Sequence, residues 1–410
     1  MAEALSRKEE WRRYGFLPLV AALGYSTSSM HSYGIGAFIE PLEAEFGWSR
    51  AQASIGLTVS GLTGAVLSIP VGMLVDKFGP RRIGTVGVVA MIGAFGLLGT
   101  ATGTIANWIL LWTVLAFANL WAGATIWTKA VASRFETSRG LAFAITLTGA
   151  PMTATLIPLI ATALILSYDW RVGFFGVAIA WAIVVVPSVL LFFRGAHEDP
   201  SPPEQAAASQ IELPGATTAM ALRSSAFYLL ILASILFAFT VVGTTVHFMP
   251  ILADRGADKL AAAGIVSLIG VFSIVGRLGT GLLLDRLPAH LVGAAICLLP
   301  VFACLILLLH GGDLVSQSIS AMLLGLTVGG EIDVIAYLTT RQFGLRSYGI
   351  IFGSMAAGMN LGTATGPLIA GAVYDLNGSY SAFLVITIVA MALSSVILAS
   401  IRNKPPASPH

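Results

Sequence analysis

Apolar runs long enough to cross a bilayer recur along almost the whole of this sequence, and nothing constrains its fold more. They fall near 16–38, 51–75, 83–104, 107–129, 139–167 and 171–193, then near 226–252, 260–284, 289–310, 314–340, 347–374 and 379–401. A helix needs about 20 such residues to traverse the hydrocarbon layer, and a membrane-barrel strand about half as many. The runs therefore predict an all-α membrane protein with twelve crossings. Composition agrees: 56% of the 410 residues are hydrophobic, only 10% are charged, and mean hydropathy is +0.87, where a soluble domain carries about 25% charge. No cleavage pattern precedes the first run, which is long enough to span by itself.

The runs form two sets of six. Between them lies 194–225, with RGAHEDPSPPEQAAASQ, polar and rich in Pro, Ala and Ser. It reads as a flexible cytoplasmic linker, so the expected organisation is a six-helix half at 1–193, the linker at 194–225 and a second half at 226–410. Orientation follows from the basic residues. With both termini cytoplasmic, seventeen of the 22 Lys and Arg lie inside, four (Arg50, Arg171, Arg255, Lys259) lie outside, and Arg277 falls within a span. The expected location is a bacterial inner membrane. A net charge of +2 argues against a nucleic-acid surface. Cys297 and Cys304 share a helix face two turns apart, too far to bridge, and read as core thiols.

The halves repeat at an offset of 209. Gly72 and Asp76 match Gly281 and Asp285, and Pro158-Leu159-Ile160-Ala161 matches Pro367-Leu368-Ile369-Ala370. Pro41, Gly140, Phe143 and Gly149 match Pro250, Gly349, Phe352 and Gly358. Both halves start on the same side, so the repeat is parallel, an arrangement that rocks about a site near the membrane midplane.

The stretch GMLVDKFGPRR (72–82), with its degenerate copy at 281–286, resembles the signature loop of the major facilitator superfamily. The resemblance covers the whole chain and implies the twelve-helix major facilitator fold. Gly72, Asp76, Gly79, Arg81, Arg82, Asp285 and Arg286 are then the expected gating motif, a cytoplasmic latch. A loop without a gating role is the plainer alternative. FGWSRAQAS (46–54), GRLGTGLLLDR (276–286) and RQFGLRSYGIIFG (341–353) are similar to the monocarboxylate-transporter and oxalate/formate branch, which moves small organic acids.

Three ionisable residues lie well inside predicted spans: Arg277 in the eighth, Glu331 and Asp333 in the tenth. Each costs at least ~2.5 kcal/mol at the bilayer centre if left to itself. Arg277 and Glu331 lie roughly 12 and 15 Å from the cytoplasmic helix ends at about 1.5 Å per residue, near the midplane. A guanidinium stays charged and grips a carboxylate with two prongs, which makes Arg277 the natural anchor for an anion. The branch resemblance implies the same role. That branch often has an acid four residues earlier, where this chain has Ser273, so the proton-handling carboxylate is expected in span ten instead. Glu331 and Asp333 stand about 200° apart on a helix and cannot share a face. Glu331 is favoured for the cavity because Gly329 and Gly330 leave space beside it. A plain Arg277–Glu331 tie between spans eight and ten is the structural alternative.

His31, central in span one, is a candidate for both substrate binding and proton coupling. Tyr33, Asn119, Tyr337 and Asn360 are further binding candidates. His247 reads better as a hydrogen-bonding residue between helices. Trp121 and Trp127 are expected against lipid or neighbouring helices. No ligand spacing suggests a metal, and neither a phosphate loop nor a nucleophile elbow suggests an enzyme. Oxalate-specific members have a lysine in span eleven; here that span has no basic residue, which suits monocarboxylates better than dicarboxylates. The expected function is proton-coupled symport of a monocarboxylate by a monomer, with small organic acid, protons and the lipid bilayer as its partners and no cofactor. An organic-anion exchanger or a drug or metabolite exporter is the alternative. The antiporter run Gly-x-x-x-Gly-Pro-x-x-Gly-Gly is mostly missing from LTGAPMTATLIPLIA (147–161), which weakens that alternative. A signalling or scaffold protein would need a soluble effector region that the termini and linker are too short to form.

Overall fold

The computed structural model describes residues 7–194, 215–344 and 346–401, the side chains of 7, 68–77 and 139 excepted. Among them the chain is helical, apart from an isolated antiparallel bridge between Gly215 and Gly344. A short helix, α1 (Arg7–Tyr14), precedes the first crossing. That crossing is built from α2 (Phe16–Ser28), α3 (Met30–Gly34), a 3-10 turn at Ile35–Ala37 and α4 (Ile39–Phe46). Next come α5 (Arg50–Phe78), α6 (Pro80–Leu97), α7 (Ile105–Leu120) with α8 (Ala124–Ala132), α9 (Arg139–Leu147) with α10 (Gly149–Ser167), and α11 (Trp170–Phe192). The remainder is α12 (Thr218–Leu222), α13 (Ser225–Ala253), α14 (Lys259–Arg286), α15 (Ala289–His310), α16 (Leu314–Phe343), α17 (Tyr348–Asn377) and α18 (Ser381–Ser400).

Nine helical stretches among the described residues are long and apolar enough to cross a membrane. With the segmented α2–α4, α5 and α17 they are consistent with the twelve crossings expected. Boundaries are set by polar side chains. Asp169, Asp258 and Asp313 accept backbone N–H groups at the starts of α11, α14 and α16, satisfying donors that a helix start leaves open. Gly378, in the left-handed region at φ 65, closes α17.

Crossings one, four and five are not single helices, contrary to the sequence expectation. In crossing one the cause is a hydroxyl cluster. Ser26, Thr27 and Ser28 donate to the carbonyls of Leu23, Gly24 and Tyr25 at 2.6–2.8 Å, competing with the backbone ladder, which breaks at Ser29. In crossing five Thr148 Oγ1 donates to the Ile145 carbonyl in the same way, at 2.6 Å.

The chain divides into two compact units: Met1–Gly34 with Val66–Gln205, and Ile35–Ala65 with Ala206–His410. In the first, Trp127 is fully buried with its indole N–H on the Ala122 carbonyl at 2.8 Å. Its ring occupies the space where a side chain at Gly24 would stand. In the second, a buried cluster including Phe227, Phe237, Ile296, Leu338, Met355 and Met391 forms the core.

The sequence repeat is also a repeat of contacts. A side chain on Gly149 of α10 would strike Ala22 and Ser26 of α2; one on Gly358 of α17 would meet Ile231 and Ile235 of α13. Those partners keep the 209 offset too. In α17 the small residue recurs four residues on as Gly362 and again as Gly366, where a Cβ would crowd Ile235, Phe239 and Gly243. Lipid is as apolar as leucine, so association rests on close backbone approach and packing, which such small-residue seams supply.

Candidate functional site

The seam between α14 and α16 positions the intramembrane charges. A Cβ on Gly325 would lie 2.6 Å from the Ile269 carbonyl, and one on Gly329 would lie 2.6 Å from the Arg277 amide. The two backbones are therefore in direct contact one turn before Asp333. That contact places Arg277 of α14 beside Asp333 of α16, Nη1 to Oδ1 3.7 Å, with the side chains 14% and 29% exposed. Glu331 is the more buried acid, at 8%. Its Oε1 and the Arg277 Nε are buried and make no hydrogen bond among the described residues.

Two readings need correcting. The Arg277–Glu331 tie, given above as the structural alternative, falls on Asp333 instead. The space expected beside Glu331 is filled, because Gly329 admits the α14 backbone and Gly330 admits Thr280 and Ile296. Both glycines serve helix contact, so Glu331 is sequestered and Asp333 is the less buried of the two.

The other candidates divide between the units. In the second, Tyr337 is engaged one turn further along α16, its hydroxyl accepting from Arg341 Nη2 at 3.0 Å and Nε at 3.3 Å. Asn360 of α17 stands over Gly64 of α5, its amide 3.7 Å from where a Cβ would be. In the first unit, His31 of α3 is buried, with its ring 5.8 Å from that of Trp112 and Nε2 3.3 Å from Ser32 Oγ. Asn119, seven residues beyond Trp112 on α7, shares its face. Its Oδ1 is buried without a hydrogen bond among the described residues. Tyr33 is half-buried on the same short helix as His31.

Of the loop motif, Gly79 takes φ 81 ahead of Pro80, the first residue of α6, a turn that favours glycine. Arg81 Nη2 donates to the Leu190 carbonyl at 3.2 Å, and Arg82, Asp285 and Arg286 are exposed. Gly72 and Asp76 lie on α5 where side chains are outside the described residues. His247 is fully buried, with Nδ1 2.7 Å from the Tyr380 hydroxyl and Nε2 2.9 Å from the Pro367 carbonyl, the inter-helix bonding read from sequence. Cys297 and Cys304 are buried and unbridged.

Sequence reasoning missed one polar centre, built around Arg50. Its guanidinium, 6% exposed, meets Glu43 at 3.2 Å and Asp254 at 3.1 Å. The available signal was three basic residues at the ends of apolar runs, Arg50, Arg255 and Lys259, that stand near acids in the sequence.

A family model described as Major Facilitator Superfamily matches residues 21–330. Monocarboxylate transporter 13 of Bos taurus is 27% identical over 356 residues, covering 86% of this chain and 79% of that protein. An uncharacterized MFS-type transporter of Bacillus subtilis strain 168, YcxA, is 24% identical over 367 residues, covering 88% of each. Among solved structures, a bacterial homologue of the human lysosomal transporter Spinster, inward-facing and unoccupied, superposes with a TM-score of 0.67 at 18% identity over 94% of both chains.

Proposed function

The chain belongs to the major facilitator superfamily, and from that premise we propose that it is a secondary active transporter of small organic anions, specifically a proton-coupled symporter of a monocarboxylate. Arg277 carries the reading. It lies within a crossing, touches one carboxylate at 3.7 Å, and has a buried Nε with no partner among the described residues. A substrate carboxylate presents two oxygens and would replace that loose contact with a two-pronged, charge-assisted one. Asp333, displaced from its counter-charge inside a low-dielectric bundle, is then the group left to bind a proton. Anion and proton would bind together and leave together. Glu331 is the second acid of the site, and His31 is the candidate of the other unit. Similarity to a protein named monocarboxylate transporter 13 supports the substrate class.

We place both termini in the cytoplasm and the protein in a bacterial plasma membrane, working as a monomer without cofactor on the proton gradient. The test is uptake into proteoliposomes of lactate, pyruvate, aromatic acids and dicarboxylates under an imposed pH gradient. Arg277→Ala is expected to abolish uptake, and Asp333→Asn to abolish its dependence on the gradient. If Arg277→Ala transports an anion as well as the parent, the anchor is elsewhere. Trans-stimulation without any gradient would identify an exchanger instead.

A further inference from the structure

The segment Ile35–Ala65, the ends of the first two crossings, meets the C-terminal half through a polar centre gathered around Arg50, beside buried apolar residues such as Phe38, Leu42 and Leu57. The two guanidinium nitrogens grip Asp254 at 3.1 and 3.2 Å, and one also donates to the Tyr380 hydroxyl at 3.1 Å. The face of the group lies 3.6 Å from the centre of the Tyr374 ring. Asp375 accepts the backbone N–H groups of Arg50 and Ala51 at 2.9 and 3.0 Å, so an acid from the end of α17 caps the start of α5. Below the guanidinium, Tyr380 bonds His247, whose Nε2 stands 3.1 Å from Ser54 Oγ on α5. At the edge, Lys259 Nζ pairs with Glu40 at 3.3 Å.

Between these bonds the backbones are nearly bare. A Cβ on Gly371 would lie 2.5 Å from the Ala51 amide, one on Gly36 2.5 Å from the Val246 carbonyl, and one on Gly61 2.8 Å from the Asn360 carbonyl. Thr58 Oγ1 donates to the Ala364 carbonyl at 2.5 Å. At these points the backbones touch without interlocking side chains, and the charged groups of the joint sit at helix ends, where water can replace each bond as it opens. Chain connectivity adds a second clue. The segment opens with the 3-10 turn Ile35–Ala37, between α3 and α4, a natural point of bending. The third is the location of Glu43. It belongs to the segment itself and binds Arg50 Nε at 3.2 Å, so the guanidinium keeps one carboxylate when it leaves the other.

We propose that Arg50 and Asp254, with Tyr374, Asp375 and Tyr380, form a demountable latch that closes the face of the transporter away from its termini. The latch parts when that face opens, with Glu43 travelling along with Arg50. This concerns the transport cycle and does not depend on Arg277 as the anchor.

The test uses Ser54→Cys as a reporter beneath the latch, with an impermeant maleimide applied to the purified protein in proteoliposomes. The native cysteines, both buried, supply little background. Arg50→Gln and Asp254→Asn should each label about tenfold faster or more, since removing charge-assisted bonds shifts an open–closed balance by at least that factor. Gly371→Val, which wedges the joint, should do the same. Glu43→Gln should stay within about twofold of the parent, because that bond is not the one that parts. Gel filtration checks folding, and if Arg50→Gln does not fold, Asp254→Asn and Gly371→Val decide. Parent-like labelling in both of those overturns the proposal. So does acceleration in Glu43→Gln equal to that in Asp254→Asn, which would mean a general loosening.

Discussion

Glu10 offers the sharpest test of how local electrostatics hold this molecule together. It sits on α1, ahead of the first crossing, and is 2% exposed. Oε1 accepts the amides of Glu136 and Thr137 at 2.9 Å, and Oε2 that of Ser138 at 3.0 Å. The three donors precede α9, so the carboxylate closes a helix start from a distant part of the chain. Around it, the Trp11 and Phe135 rings lie 5.2 Å apart, and the Arg134 guanidinium lies 4.9 Å from the centre of the Tyr14 ring. Glu10→Gln leaves one acceptor oxygen for three donors. An unpaired buried donor costs about 1–3 kcal/mol, and a neutral bond is worth about half a charge-assisted one. The expected loss is about 2–3 kcal/mol of local stability, or roughly 30- to 150-fold faster amide exchange at 136–138. Burial pushes the Glu10 carboxyl up, but the amides of Thr137, Glu136 and Ser138 outweigh it and hold the group below its ordinary 4.5. A lowered folded value means the stabilisation is complete above the unfolded value and is lost as pH falls through the folded one. Hydrogen exchange of the detergent-solubilised protein, normalised for intrinsic rate, should show the parent's protection converging in acid on that of the variant. Equal protection of 136–138 in parent and variant at neutral pH would refute the reasoning.

Other consequences follow from packing. Gly329→Val must push α14 from α16 and is expected to cost about 1–3 kcal/mol or more, seen as a lower melting temperature and poor monodispersity; Gly353→Ala, where a Cβ meets nothing within 4 Å, should behave as the parent does. Trp127→Ala should cost about 3–5 kcal/mol, whereas Trp127→Phe loses chiefly the bond to the Ala122 carbonyl, about 1 kcal/mol; thermal unfolding in detergent separates them. Cys297 and Cys304 should react with maleimide only after denaturation and should not cross-link under oxidant, standing about 10 Å apart along α15.

The run lengths and their apolarity made the membrane class and the helical architecture legible, because a chain in lipid must satisfy its backbone within each segment. The internal repeat was legible for a related reason: Gly149 and Gly358 do the same work against residues at the same offset, so the copied contact left a copied sequence. The breaks in crossings one and five were written in hydroxyl residues, Ser26 to Ser29 and Thr148, whose competition with the ladder a hydropathy window averages away.

What remained hidden were the choices between neighbours. The spacing of Glu331 and Asp333 shows that they point different ways around α16, but not which of them meets Arg277. That was decided by Gly329, which looks like open space in one dimension and proves to be the contact point of α14. The Arg50 centre was hidden for the same reason, since Arg50 and Asp254 are 204 residues apart and each looks like an ordinary loop charge. Sequence alone determined what each segment is, since residue periodicity acts within a helix. Only tertiary structure decided which charges are partners, since pairing depends on how closely two backbones approach and on the rotation of each helix toward its neighbour.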